Sequence, residues 1–485
     1  MENTAGIQKR TVVYYLNSII SIALMFGFQH LPVIQPLTPL GMSIVGIFLG
    51  VIYGWSTVGI IWPALLGLIA LGFSGYTTVP DAFQSGYGGD TYLFVFFILI
   101  FAAIIDKAGV TDVIANWVVS RKIARGKPWV LTILLLTAAY IVAALVSVTP
   151  SIIICWGILY KLCQIFGFTN KDKYPKLMVI GIVFAALMGH SAFPFKAMAV
   201  ILMGVFTKQT GISVNFVTFT ILAVVIGYSA VWGYIFLCRF VFKPDVSPII
   251  NSNAVFENKT SLNSYQKQVM LLLAALIFFL FLPGILSDKI WLVAFLNKLG
   301  NTGIVVILLA FAVFIRKKDY SQFVNFIDLI RTGVPWQNLF LLSTALPLAT
   351  AMTSKDTGVK EFFVSILNPL LNGYGGPVLF VALILTCSII MTNFMGDVIV
   401  GLIMMPLVCS YAPVVGANSE MLAVALCVTC NMAIILPSAS PLAALLHGNT
   451  EWVDARDIYK HSIPTILVSI LIVLVICLTV GNILL

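Results

Sequence analysis

The chain has 485 residues, of which 60% are hydrophobic and only 9% charged, with a formal net charge of +9. Soluble domains carry about 25% charged residues, so no water-soluble fold could hide this much apolar surface, and the solvent must be lipid. In a soluble chain the basic excess would suggest nucleic acid; here the basic residues lie between apolar runs, where membrane topology explains them and no nucleic-acid partner is implied.

A helical span needs about 20 apolar residues. The first run covers residues 12–28. No small-residue cleavage site follows it, so 1–36 is read as a retained N-terminal helix with its neighbouring turn. A second span begins near Leu40 and a third near Thr57, separated by a turn at 53–56. Residues 74–90 read as a polar, Gly-rich loop, 92–105 as the fourth span, and 106–127 as a charged connector forming an amphipathic surface helix. The stretch 129–166 is apolar but broken by Ser147-Val148-Thr149-Pro150-Ser151, and each half is short for a span. Both flanks are basic, with Arg121, Lys122, Arg125 and Lys127 before it and Lys161, Lys171, Lys173 and Lys176 after it. A segment that leaves and re-enters the same basic side is predicted to be a re-entrant hairpin. A helix broken at 190–196 follows over 177–206, and 214–236 completes this half.

A polar linker over 243–268 precedes a second half with the same plan. It holds spans over 269–286, 302–315 and 334–352, then a hairpin over 377–410 broken at 391–397. A helix over 421–446 is broken at 437–441, and a last span covers 463–484. Leu93-Phe94 aligns with Leu339-Phe340, Gly109 with Gly358, Thr149 with Asn393 and Pro194 with Pro441, all at offsets of 244 to 249. These anchors predict an internal repeat, 37–242 and 269–485. With the N-terminus in the cytoplasm and spans alternating, 21 of the 27 Lys and Arg fall on the cytoplasmic side and five outside, with Lys196 in the membrane. That asymmetry supports a multi-pass protein of the plasma (inner) membrane. It also places the second hairpin opposite the first, so the repeats are predicted to be inverted. The fold class is therefore an all-α integral membrane protein of about 11 spans.

Broken backbone in lipid leaves N–H and C=O groups unpaired, each costing several kcal/mol unless protein or water satisfies it. Inverted repeats with discontinuous helices point to a substrate site near the midplane, and half-helix N-termini suit anions. The candidate substrate-binding set is Ser147, Thr149, Pro150, Ser151, Pro194, Lys196, Thr392, Asn393, Ser438, Ser440 and Pro441. Lys196 is an intramembrane cation, costing roughly 2.5–3.5 kcal/mol on insertion scales, which an anion would neutralise. Asp397 could pair with Lys196, bind Na⁺ or take up a proton. The ion-coupling candidates are Lys196, Asp397, Asn393 and Ser147, with Asn393 and Asp397 as candidate Na⁺ ligands; no other cofactor is implied.

Structural readings stand beside these. Each break could be a packing kink, Lys196 could snorkel to an interface while Asp397 only caps its helix, and His190 and His447 could be hydrogen-bonded core residues. Cys427 and Cys430 on an apolar helix read as packing residues rather than a metal or redox pair. Gly189-His190-Ser191-Ala192 fits a GxSx protease pattern, with His447 as the one available base. That pattern is frequent by chance, so no enzyme is predicted. A channel would need a continuous pore, which two opposed hairpins do not suggest.

At these residues the chain resembles the divalent anion/sodium symporter family, within the ion transporter superfamily that also holds arsenite permeases and Na⁺/H⁺ antiporters. Val334-Pro335-Trp336-Gln337-Asn338-Leu339-Phe340-Leu341-Leu342 is similar to the family's Pro-Trp segment. Asp81-Ala82-Phe83, Leu93-Phe94 and Lys107-Ala108-Gly109 are similar to its third-to-fourth helix region. The family's hairpin tips carry Ser-Asn-Thr, which binds substrate carboxylate and sodium. Here Ser147 and Thr149 match in the first tip, and Asn393, preceded by Thr392, matches in the second. Pro194 and Pro441 match the family's broken-helix loops, whose Asn residues are absent. The resemblance implies two inverted repeats with opposed re-entrant hairpins, a homodimer in the lipid bilayer, and an elevator mechanism carrying a small organic anion such as a di- or tricarboxylate. Coupling would be to Na⁺, H⁺ or a counter-anion. A cation/proton antiporter or an inorganic oxyanion permease of the same superfamily is the alternative.

Overall fold

The computed structural model describes all residues except 1, 120–122, 124–125, 251–261, 317–322, 363, 366–375 and 485. Arg121, Lys122 and Arg125 of the first hairpin's flank, and 251–261 of the expected linker, lie outside the described residues. The described chain is helical, and nine helices are long and apolar enough to cross a membrane, or ten counting one bent pair. The sequence predicted about 11.

Helix α1 (Glu2–Gly27) packs along α2 (Pro39–Thr57). The contact depends on Gly46, Gly50 and Gly54, a stripe at four-residue spacing. A Cβ on Gly50 would lie 2.7 Å from the Ser21 carbonyl oxygen. Instead the two backbones approach closely, as small residues allow between membrane helices, and the Ser21 hydroxyl donates to the Gly50 carbonyl at 2.8 Å. The predicted turn at 53–56 lies inside α2. The chain turns at 58–60, where Gly59 has φ 145°, before α3 (Ile61–Phe73).

The predicted loop at 74–90 contains a helix, α4 (Val79–Tyr87). Thr78 caps it by accepting from the Asp81 N–H, and Val79-Pro80 opens it. This is an N-terminal signature that the polar composition concealed. Helix α4 bends by 43° into α5 (Asp90–Lys107). Asp106 and Lys107 therefore end a span rather than begin a connector; the connector's own helix is the short α6 (Val110–Val119).

The first hairpin is α7 (Pro128–Leu145) and α8 (Val148–Phe166), with only two residues between them. At 18 and 19 residues its halves are longer than the sequence suggested. Helix α9 (Lys173–His190) lies against α7. A Cβ on Gly189 would fall 2.1 Å from the Tyr140 carbonyl oxygen, so only glycine permits this crossing. Next come α10 (Ala197–Thr210), α11 (Phe216–Phe236) and a single turn, α12 (Ser247–Ile250).

Helix α13 (Ser264–Ile285) opens with a capping box, Asn263 with Gln266. Helix α14 (Trp291–Phe314) kinks at Gly300, and α15 (Phe326–Gly333) is capped by Asn325. Then follow α16 (Trp336–Thr353), α17 (Gly376–Thr392), α18 (Asp397–Val415), α19 (Ser419–Thr429), α20 (Pro441–Gly448) and α21 (Ala455–Ile476). The element order from α4 to α11 thus recurs from α15 to α21: short capped helix, span, paired helices, interrupted helix, long span.

Candidate functional site

The two interrupted helices differ in how their breaks are satisfied. In the first, α9 stops at His190 and α10 starts at Ala197, as the sequence predicts. Pro194 removes one donor, and Phe193 and Phe195 stack with ring centroids 5.0 Å apart. Lys196 precedes α10 and is only 8% exposed. Its ammonium donates to the Val146 carbonyl at 2.7 Å. Val146 is the residue at which α7 ends and the first hairpin turns. The cation of one break therefore satisfies a carbonyl freed by the other, as irregular backbone at membrane depth requires.

A cavity of about 270 Å³ opens at this junction, with Asp106, Ser147, His190, Lys196 and Asn338 as its polar wall. Asp106 is exposed at the end of α5 and shares this wall with Lys196 and Ser147, without a hydrogen bond or an ion pair to either. The Nδ1 of His190 is buried without a partner. A second cavity, of about 130 Å³, meets the break at Pro194 and is lined also by Asp90, Thr91 and Asn301. The break thus lies between two cavities, and the positively charged side chain faces the larger one.

The second break is wider than predicted. Helix α19 ends at Thr429, and 430–440 is non-helical before α20. Asn393, at the tip between α17 and α18, holds this segment with its whole amide. Its Nδ2 donates to Ile389 O at 2.8 Å and Met432 O at 3.0 Å. Its Oδ1 accepts from the N–H groups of Ile434 at 3.1 Å and Ile435 at 2.9 Å. The Thr392 hydroxyl donates to the Cys430 carbonyl. Ser440 caps α20 by accepting from the Ala443 N–H at 3.0 Å and donates to Ala433 O at 3.2 Å. In this conformation the side-chain amide of Asn393 is fully engaged with the protein.

Of the predicted site residues, the larger cavity gathers Ser147 and Lys196. Ser151 is buried, and its hydroxyl donates to Ala139 O at 2.8 Å, tying α8 to α7. Thr149, Ser438 and Pro441 are exposed, and Pro150 is half-buried. Asp397 is half-buried at the start of α18, where its Oδ1 accepts from the Val398 N–H at 2.8 Å. It makes no ion pair with Lys196. Ser191 donates to Leu187 O and His447 bonds Ile435 O, so the GxSx serine and its proposed base are each engaged elsewhere. Cys427 and Cys430 are buried free thiols.

Three residues of the site were missed from sequence. Asn338 lay inside a motif used only for resemblance. Asp106 was assigned to a connector, although an acidic residue closing an apolar span is itself a signal. Asn431 joins the two breaks: its Nδ2 lies 3.0 Å from the sulfur of Met198, in the first turn of α10, and donates to Cys427 O at 2.8 Å. Its Oδ1 is buried without a partner.

Among solved structures, the YdaH transporter of Alcanivorax borkumensis, reported to have an unusual topology, is similar over 98% of this chain and 98% of its own, with a TM-score of 0.58. At 14% identity the likeness shows the fold alone. Among curated proteins, none matches the chain. A family model described as CitMHS, citrate transporter, matches residues 44–430, most of the chain. The resemblance read from the motifs named a related family of the same superfamily. This multi-pass membrane protein, with a buried lysine at the junction of two helix breaks, belongs to the CitMHS citrate transporter family, a family of transporters and not of enzymes.

Proposed function

We propose that the chain is a secondary active transporter of di- or tricarboxylates of the citrate type, working by alternating access. The observation that supports this best is the cavity at the first break. It presents one buried ammonium, Lys196, with neutral donors at Ser147 and Asn338 and one acidic residue, Asp106, on its wall. One fixed cation with neutral hydrogen-bond donors suits a carboxylate, whose charge offsets the cost of holding Lys196 in the membrane.

On this reading residues 37–242 and 269–485 are inverted repeats, with the N-terminus cytoplasmic. The paired helices at 128–166 and 376–415 are opposed re-entrant hairpins, and the site moves in an elevator-type stroke within a homodimer. The recurring element order from α4 to α11 and α15 to α21 supports the repeat. Coupling is to Na⁺, H⁺ or a counter-anion. Of the two candidate cation ligands, Asp397 is the more available, because the Asn393 Oδ1 would first have to release two backbone N–H groups, whereas Asp397 accepts from one.

The test is uptake of labelled citrate, succinate, malate and 2-oxoglutarate into proteoliposomes, with Na⁺, pH and counter-anion gradients imposed separately. Saturable uptake of one of these anions is expected, lost in Lys196→Ala. Absence of carboxylate uptake under every gradient, with Na⁺ discharging an imposed pH gradient, would move the protein to the antiporter reading.

A further inference from the structure

The proposed site contains a carboxylate that an anion site would not be expected to hold. Asp106 shares the larger cavity with Lys196, Ser147 and His190. A bound anion would be repelled by it, so a merely inherited aspartate here would weaken binding. Its position gives the reason for its presence. Asp106 closes α5, whereas Lys196 opens α10 and Ser147 opens α8. The carboxylate therefore faces one cavity with a cation and a hydroxyl that belong to two other elements, and it is bonded to neither in this conformation. Those two groups are also the ones best suited to hold a substrate carboxylate. The remaining charged or titratable group in the wall is His190, on α9.

An unpaired ammonium at membrane depth is costly. The Val146 carbonyl supplies Lys196 with a hydrogen bond but no charge. Asp106 is the group on the cavity wall that supplies the charge. The residue is exposed at the end of α5 while its carboxylate on the cavity side is partly desolvated, so turning outward into water when another anion takes its place recovers hydration.

We propose that Asp106 is the internal counter-ion of Lys196 and competes with the substrate's carboxylate for Lys196 and Ser147. This rests on the functional reading above. Asp106 is a specificity-determining residue: it neutralises the site while empty and sets a threshold that a weakly charged ligand does not pass. A ligand with two or three carboxylates offers Lys196 more than Asp106 does; a monocarboxylate offers about the same. Loading then releases Asp106 to solvent, and unloading returns it, which speeds departure of the product.

The test is equilibrium binding of radiolabelled citrate and of labelled acetate to the purified full-length protein in nanodiscs, for wild type, Asp106→Asn and Asp106→Glu. Asp106→Asn is expected to bind citrate roughly two- to fivefold tighter, the range of a partly exposed ion pair. It is also expected to gain measurable acetate binding. Asp106→Glu, which keeps the charge, should restore the wild-type preference. Damage to the fold would weaken binding, so tightening separates competition from a structural role. Unchanged or weaker citrate binding in Asp106→Asn, with wild type binding normally, overturns the proposal and leaves the transporter reading intact. If wild type binds no di- or tricarboxylate, both fall together.

Discussion

The two helix breaks solve one physical problem in opposite ways. Each frees backbone groups at membrane depth, and each must satisfy them. The second does so mostly internally, with the buried Asn431 Oδ1 left unpaired. Asn393, Thr392 and Ser440 together occupy carbonyls and N–H groups across 430–443, leaving little for a ligand. The first break relies on one long side chain, Lys196, reaching the Val146 carbonyl beside a cavity of about 270 Å³. The lesson is that polarity at a break does not by itself mark a binding site. What marks one is polarity left unsaturated next to open volume. On the proposed function, the second break is a fastening and the first the substrate site.

The largest expected effect tests the fastening. Asn393→Ala removes four hydrogen bonds at once and strands the buried N–H groups of Ile434 and its neighbour. At a net 0.5–1.5 kcal/mol each, the loss is about 2–6 kcal/mol. Thermal unfolding of the detergent-purified protein should show it as a clear drop in Tm, with transport lost alongside. A normal Tm with altered substrate affinity would instead make Asn393 a ligand, and the contrast would collapse. A smaller effect is expected at Ser440. Ser440→Ala removes the cap of α20 and should cost about 1 kcal/mol, whereas Ser438→Ala, two residues away and exposed, should fall within about 0.5 kcal/mol of wild type. Equal effects at the two serines would mean that the cap does not hold the segment.

Much of this was legible in the sequence because lipid makes a simple demand. Apolar length marks spans, and polar or proline residues inside them mark breaks. Both interrupted helices and both paired helices were located that way. The boundaries that failed did so for local reasons. Residues 430–436 are apolar enough to pass as helix, yet their backbone is held open from a distance by Asn393. Residues 79–87 look like loop by composition, yet Thr78 and Pro80 start a helix there. The site was less legible. Ser147, Thr149, Thr392, Asn393, Ser438 and Ser440 are alike as hydrogen-bonding types; which one faces a cavity and which one faces a neighbouring carbonyl depends on contacts across 40 or so residues or more, such as Lys196 to Val146 at a separation of 50. Asp106 was hidden by its neighbours, since Lys107 and the basic run beyond it read as a surface segment.

The smallest expected effect on stability falls on the residue to which the proposed function gives the largest role. Lys196→Met keeps the length and apolar stem of the side chain but removes the charge. It loses the bond to Val146 O, worth about 1 kcal/mol net, and it recovers the cost of holding an ammonium out of water. Replacing buried charge by apolar volume is often neutral or stabilising. The Val146 carbonyl also lies on the wall of the cavity, where water can take the vacated bond. The net change should therefore stay within about 1 kcal/mol, and Tm should move little, while carboxylate uptake falls to background. A Tm drop as deep as that of Asn393→Ala would make Lys196 a second fastening. Retained uptake would remove it from the site. An unchanged Tm with uptake lost is the pattern that a fastened break opposite a working one requires.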